Sequence, residues 1–573
     1  MKTEDPKLHK LASIIEERMD EENLSVNDIC HELGLSRSHL HRILKENTGL
    51  SLSLYIRKKR MEKAAELLEN PGLRISEIAD AVGISSPQNF SNYFSQKYGL
   101  SPSDYRKQIP EETPQSLSIA VLPFINLSND QEQEYFSDGI TDELINVFSR
   151  VPSLKVVGRS SSFSFKGKNE DIRNIGTALG ADYLLEGSVR RSDMRLRITA
   201  QLSNATDGYQ IWAQKYDREM QDVFAIQDDI SQAILEEIEV KLLGKNNISP
   251  IPRTITNAEA YELYLNGRYH FNKFAGPAEF EKSIEFYRRA IALEPNYSAA
   301  YAGIASAYLS LWFYRFLDPE TGLAEIRKAT AKAIEIDSHD PESLLALARM
   351  QMLIEWDFEK AEKSFMRSLE LSPDLAETHG QFALFYALTE NEEKAINHLQ
   401  TALSLDPLSL FNIFYGEYVY WLTGDNEKAM SLCRKMLELE PGFWAGHTAR
   451  GLNLFHENNT ETAIEALQLA KSLNYSGFTL SALGAIYGFS GQTNKARGIL
   501  QEMNTLAATK PVSNYDLGIV YAGLGEIKQA VSYFEKAIEK HEPSMLFFKF
   551  ILKDWLESYQ TDIRYRQLLQ KLP

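Results

Sequence analysis

The chain has 573 residues, which at about 100–200 residues per domain excludes a single core and implies several domains. Apolar residues make up 43% and charged residues 24%, ordinary globular values that exclude wholesale disorder and collagen-like or coiled-coil composition. With 61 Lys+Arg against 79 Asp+Glu the net charge is −18, so any nucleic-acid contact must be confined to a local patch.

Cys30 and Cys433 are too far apart in sequence to suggest a metal or redox motif, and no disulfide framework follows. The first ten residues lack an apolar signal. The most hydrophobic stretches, 117–127 and 410–422, are broken by polar residues well short of the ~18–20 needed to span a bilayer. A cytoplasmic chain without a membrane partner is expected.

In chain order, residues 1–108 come first and contain a duplication. Ile29, Leu33, Gly34, Leu35 and Ser36 recur 49 positions on as Ile78, Val82, Gly83, Ile84 and Ser85. Leu40, Leu44, Gly49, Leu50 and Tyr55 recur 50 positions on as Phe90, Phe94, Gly99, Leu100 and Tyr105. In each copy a short amphipathic helix is expected to end at a glycine, Gly34 or Gly83, whose tolerance of positive φ suits a tight turn. A second helix follows, capped by Ser36 in the first copy and by Ser86, ahead of Pro87, in the second. These second helices bury Leu40, Ile43 and Leu44, and Phe90, Tyr93 and Phe94. Their other faces carry Arg37, Ser38, His41, Arg42 and Lys45, and Gln88, Asn89, Asn92 and Lys97. Arg suits guanine, Asn and Gln suit adenine, and Lys suits phosphate.

Together with Ser86, and with Arg57 and Lys58 on an intervening helix expected over 54–69, these are the candidate contacts to double-stranded DNA. Taken alone, one basic helix face is equally a solvated face. Residues 34–108 hold 12 Lys+Arg against 7 Asp+Glu, a balance of +5, and residues 1–33 hold 4 against 9, a balance of −5. The net negative charge therefore belongs to the rest of the chain.

The run Leu33-Gly-Leu-Ser36, then Leu40, Arg42, Leu44 and Gly49, and its echo ending Tyr98-Gly-Leu-Ser-Pro-Ser-Asp-Tyr-Arg106, resembles the AraC/XylS family DNA-binding domain. The resemblance implies a monomer with two helix-turn-helix units joined by a rigid helix, its recognition helices entering successive major grooves. Where the family often has an Arg and a Lys in the second recognition helix, this chain has Asn92 and Ser95. The first half is thus expected to carry more of the affinity.

The segment 108–115, with two prolines, marks a boundary. Residues 116–245 read as an α/β module with strands over 117–122, 154–157, 183–190, 194–204 and 208–216, and helices over 138–150, 172–179 and 222–243. Gly158 to Lys168 looks superficially like a phosphate loop. Ser162 stands where that motif needs glycine and Asn169 where it needs Ser or Thr, which rejects it. No catalytic residue, cofactor or metal is assigned, and no enzyme is expected. The phrases Val121-Leu-Pro-Phe-Ile-Asn-Leu-Ser, Tyr135-Phe-Ser-Asp-Gly-Ile-Thr-Asp-Glu-Leu, Leu179-Gly-Ala-Asp-Tyr-Leu-Leu-Glu-Gly-Ser-Val and Ile211-Trp-Ala-Gln-Lys-Tyr-Asp-Arg218 are similar to the TolB-N-like module. That likeness implies a place between an output domain and tetratricopeptide repeats, with no activity to transfer.

Residues 257–573 read as helical throughout. Pro341, Pro373, Pro407 and Pro441 recur at spacings of 32, 34 and 34, the tetratricopeptide period, and Phe382, Ala383, Tyr386, Ala395, Leu399 and Ala402 show its register. About eight hairpins are expected, with an insertion at 312–322 and a terminal capping helix near 562–572. Such a stack presents a concave face to a protein or peptide, or packs on the α/β module and takes no external partner.

The expected fold class is therefore multidomain: an all-α double helix-turn-helix over 1–108, an α/β module over 116–245, and an all-α tetratricopeptide superhelix over 257–573. The expected function is sequence-specific transcription regulation, with the rear parts sensing a protein, a peptide or a small-molecule effector. The alternative is an interaction scaffold whose helix-turn-helix head no longer reads DNA.

Overall fold

The computed structural model describes residues 10–11, 14–15, 18–19, 24–68, 74–108, 117–128, 134–149, 151, 154–192, 195–219, 232–234, 257–273, 276–551, 559 and 562–572. The chain forms two compact units, 1–115 and 116–573.

The first unit is helical: α1 (Val26–Leu33), α2 (Arg37–Thr48), α3 (Leu52–Leu68), α4 (Ile75–Ala81), α5 (Pro87–Tyr98) and α6 (Pro102–Gln108). Ser25 and Ser36 cap α1 and α2 through their hydroxyls, and Ser86 caps α5 ahead of Pro87. Gly34 and Gly83 stand at φ 65° and 66°, the left-handed backbone that lets the chain turn between paired helices. The two copies share one core. Leu40 and Leu44 of α2, Phe90 and Phe94 of α5, and Tyr55, Met61, Ala64 and Leu68 of α3 belong to a single buried cluster.

The second unit begins with a sheet of order β3-β1-β4-β5-β6: β1 (Leu117–Val121), β3 (Leu154–Val156), β4 (Tyr183–Ser192), β5 (Arg195–Asn204) and β6 (Gln210–Glu219). A short β2 (Ile125–Asn126) pairs with β4. β1 runs parallel to β3 and β4, with Ile119 opposite both Val156 and Tyr183, whereas β4–β5 and β5–β6 are antiparallel. Alternation sets the faces: along β5, Leu196, Ile198, Ala200 and Leu202 are buried while Arg195, Arg197 and Thr199 are exposed. α7 (Glu134–Phe148) buries Ile140, Leu144 and Phe148 against Ile119 and Val121, while α9 (Ile172–Leu179) buries Ile175 and Leu179 against Ala120 and Leu184.

One expected boundary moves, two short elements are added, and one expected helix is not tested. The first helix of the module starts at Glu134 instead of residue 138. β2 and the one-turn α8 (Arg159–Phe163) were not foreseen, because elements of two and five residues are too short for a period to show. The long helix expected over 222–243 lies outside the described residues apart from 232–234, which are helical.

Eight antiparallel helical hairpins follow among the described residues. Their helix pairs are Ala258–Asn272 with Pro277–Leu293, Ser298–Phe313 with Pro319–Ile336, Pro341–Met350 with Phe358–Leu371, and Ala376–Leu388 with Glu392–Leu405. Then come Leu410–Leu422 with Asn426–Leu439, Trp444–His456 with Thr460–Leu473, Gly477–Phe489 with Thr493–Leu506, and Asn514–Gly523 with Ile527–Glu539. In hairpin three a π-helical turn, Gln351–Glu355, extends the first helix. Ala361, Ala395, Ala429, Ala463, Ala496 and Ala530, one from each second helix of hairpins three to eight, are fully buried. A larger side chain there would hold paired helices apart. The last described helix is Ile563–Leu569, within the span expected to cap the stack.

The expected insertion at 312–322 falls at the tip of hairpin two. Its ends lengthen both helices of that hairpin, to 16 and 18 residues against 13 and 14 in hairpin four, and residues 314–318 make the turn between them. Sheet and array also touch. Gly158 donates its N–H to Leu405 O at 2.6 Å, the hydroxyl of Tyr261 donates to Glu143 at 3.3 Å, and Leu408 packs on the Ala120–Leu184 cluster. The array thus has at least one internal partner.

Candidate nucleic-acid interface

The first unit's geometry follows from its caps and apolar stripes. With Leu40, Ile43 and Leu44 turned into the core, α2 exposes Arg37, Ser38, His41, Arg42 and Lys45 together. With Phe90 and Phe94 buried, α5 exposes Gln88, Asn89 and Asn92. The duplication therefore gives each copy a polar outer face on its second helix, and the expected reading residues lie there.

Several of those residues have internal partners. Arg37 donates from Nε to Asn27 Oδ1 at 3.0 Å, which ties the start of α2 to α1. The hydroxyl of Ser86 accepts from Asn89 N at 3.4 Å, so it serves as the cap of α5. The Arg57 guanidinium lies 3.9 Å from the ring centroid of Tyr93, a cation–π contact between α3 and α5. Lys97 donates from Nζ to Glu62 Oε1 at 2.9 Å and to Lys58 O at 3.0 Å. Burial pushes the Glu62 carboxyl up, but the hydrogen bond and charge of Lys97, with Lys59 and Lys58, outweigh it and hold that carboxyl below its ordinary value.

The basic run of α3 is accordingly not one uniform positive face. Lys58 and Lys59 lie within 4.0 and 3.5 Å of Glu62. Arg60 is 9% exposed and donates from Nη1 to Gly83 O at 3.0 Å. It grips the turn of the second helix-turn-helix. Added as a Cβ, a side chain at Gly83 would come within 2.7 Å of that guanidinium and 2.6 Å of Met19 O. Arg60 lies in the basic run of the helix expected over 54–69, and its position beside Met61 and one turn before Ala64, inside the buried stripe of α3, is the sequence signal for its inward role.

Among the described residues no group of three or more His, Cys, Asp or Glu side chains is arranged to hold a metal ion. Among the same residues, no helix is long and apolar enough to cross a membrane.

A helix-turn-helix domain family matches residues 29–108, and a tetratricopeptide repeat family matches residues 512–539. The chain is 36% identical over 254 residues to a protein of Rhizobium meliloti (strain 1021) named "Putative adenylate cyclase 3", covering 43% of this chain and 42% of that protein. That match is too long to lie within the first unit. It is 47% identical over 87 residues to the Msm operon regulatory protein of Streptococcus mutans, covering 15% of this chain and 31% of that protein. The chain thus spans less than half the length of either relative. It is 33% identical over 86 residues to the "Probable transcription factor PqrA" of Proteus vulgaris, covering 15% of this chain and 70% of that protein. Among solved structures, the C-terminal domain of AraT, a response regulator from Geobacillus stearothermophilus, is 34% identical, with 19% of this chain and 93% of that one covered and a TM-score of 0.18.

Proposed function

The chain belongs to the AraC-type helix-turn-helix family through residues 29–108, and from that premise we propose that it is a transcription regulator that reads promoter DNA with two recognition helices. The observation that carries this reading is the pair of capped second helices, α2 and α5, each with one buried and one polar face. In it, Arg37, Ser38, His41 and Arg42 of α2 face base edges and Lys45 faces phosphate, while Gln88, Asn89 and Asn92 of α5 read the adjacent groove. Arg57, Lys58, Ser86 and Lys97 position α3 and α5 and reach the DNA backbone from there.

The domains of this reading are the head over 1–108, a TolB-N-like module over 116–245 and the repeats over 257–573. Its support in the middle region is placement: the phrase beginning at Leu179 runs over the turn at Gly180, φ 61°, into β4, and the phrase 211–218 lies along β6. The rear unit takes a protein or peptide partner, or a small effector, and passes its state to the head. The charge segregation supports that division, since the rear carries all the net negative charge and is repelled from DNA.

Footprinting of the full chain on genomic fragments selected for binding tests the reading. Protection over two successive major grooves, lost in Arg42→Ala, is the expected result. Failure to retain any genomic fragment at low salt would leave a protein-interaction scaffold instead.

A further inference from the structure

The residues that lengthen hairpin two fold back into the array. The first helices of hairpins four and five, of six and seven, and of seven and eight pack on one another, and the tip 312–317 lies against a wall made by the first helices of hairpins five to eight. Tyr314, 1% exposed, stands edge-on to Trp444 of hairpin six at 5.5 Å between ring centroids, with Phe414 of hairpin five at 6.3 Å and Phe478 of hairpin seven at 6.5 Å. Phe316 also meets Trp444, at 6.0 Å. Between these two rings, Arg315 places Nε 2.9 Å from Oδ2 of the fully buried Asp516 in hairpin eight. Its other guanidinium nitrogens reach Ser544 Oγ and Phe313 O.

The charge at its centre sets this tip apart from ordinary core filling: Arg315 is 6% exposed and pairs with a carboxylate that is fully buried. A buried ion pair is weak in net stabilisation but demanding in geometry, so it selects what fits. The wall that hairpins five to eight form around the tip therefore presents a carboxylate set among aromatic rings, and its present occupant is an aromatic–arginine–aromatic triplet.

We propose that this wall is a receptor for a partner segment that presents an arginine between two aromatic residues, and that the chain's own Tyr314–Phe316 fills it until such a segment takes its place. The proposal rests on the reading that the repeats take a protein partner and gives that partner's chemistry. Exchange replaces one Arg–Asp516 pair by another of the same kind. The tethered tip competes at a high effective concentration, so the resting state is closed to weak or mismatched segments.

The test uses the full chain and a labelled peptide of residues 313–318, Phe-Tyr-Arg-Phe-Leu-Asp, followed by fluorescence anisotropy. A variant emptied of its plug, Tyr314→Ser with Arg315→Gly and Phe316→Ser, is expected to bind the peptide at least ten-fold more tightly than the unaltered chain. Adding Asp516→Asn, or replacing the peptide's arginine by alanine, is expected to remove that gain. An emptied chain that keeps its helical circular dichroism yet binds no better overturns the proposal, as does equal binding of the alanine peptide. In the unaltered chain, excess peptide is expected to speed amide hydrogen exchange over 311–318. No change there overturns the proposal even if the emptied variant misfolds. The broader partner reading fails separately, if deleting 257–573 leaves promoter output unchanged. Peptide failure with that dependence intact removes only the groove assignment.

Discussion

Asp406, in the corner between hairpins four and five, accepts a hydrogen bond from the backbone N–H of Ser161 at 2.7 Å and another from the Ser161 hydroxyl. That hydroxyl also accepts from Leu408 N at 2.7 Å. The array thereby caps the first turn of α8 in the sheet module across 245 residues of chain. Burial pushes the Asp406 carboxyl up in pKa while the Ser161 and Ser160 hydrogen bonds oppose that rise. Gly158 is required beside it, because a Cβ there would collide with the Asp406 side chain.

Asp406→Ala is expected to leave the Ser161 donors unsatisfied in a buried seam and to cost about 1–3 kcal/mol. A double-mutant cycle with Ser161→Ala, read by chemical denaturation, is expected to show coupling between the two positions; strict additivity would deny that they act as a unit. Gly158→Ala is expected to lower the melting temperature as well, through displacement of Asp406.

In the head, Arg42→Ala is expected to weaken binding to a selected site by about 1–3 kcal/mol and to relax its sequence preference. Lys45→Ala is expected instead to weaken all sequences alike and to flatten the logarithmic salt dependence by about one. Gel shifts on cognate and scrambled duplexes at several salt concentrations separate the two roles.

Arg60→Ala gives a third, different signature. Loss of its hydrogen bond to Gly83 O removes a charge-assisted contact in a buried site, worth about 1.5–3 kcal/mol. The expected result is a lower melting temperature and weaker DNA binding with an unchanged salt slope. A changed slope together with unaltered stability would return Arg60 to the DNA surface.

Glu417 sets a pH dependence in the array. It is 4% exposed, and burial pushes its carboxyl up to about 7 against the opposing hydrogen bond from Asn453 Nδ2 at 2.6 Å. The folded chain therefore holds a proton that the unfolded chain releases near its ordinary value, so stability falls as pH rises from about 4.5 to 7. Asp340, raised to about 6 by burial and the Glu342 charge, acts in the same direction. Glu417→Gln is expected to raise the melting temperature at pH 8 and to have little effect at pH 5, measured by calorimetry at both values.

Local signals in the sequence were enough for the helix-turn-helix pair, since caps, turn glycines and i, i+3, i+4 stripes act within a dozen residues. The repeat period and the location of the extra residues in hairpin two were visible in a longer-range signal, the spacing of prolines along the chain. The destination of those extra residues was not. Arg315 meets Asp516 across two hundred positions, and Ser161 meets Asp406 across more, so no short window holds both partners of either pair. Arg60 was hidden differently: arginine in a basic run reads as surface charge until Gly83 is seen to accept from it.

A stack of repeats with nearest-neighbour contacts alone frays from its ends, losing one unit at a time. Here Trp356 of hairpin three stacks on His541, just past hairpin eight, at 4.6 Å between ring centroids, and His541 Nδ1 lies 3.1 Å from Ile354 O. The far end is clasped by the third hairpin. Its C-terminal unit cannot peel away without parting from the third, so heating is expected to melt the array in one sharp step where an open solenoid would unzip gradually.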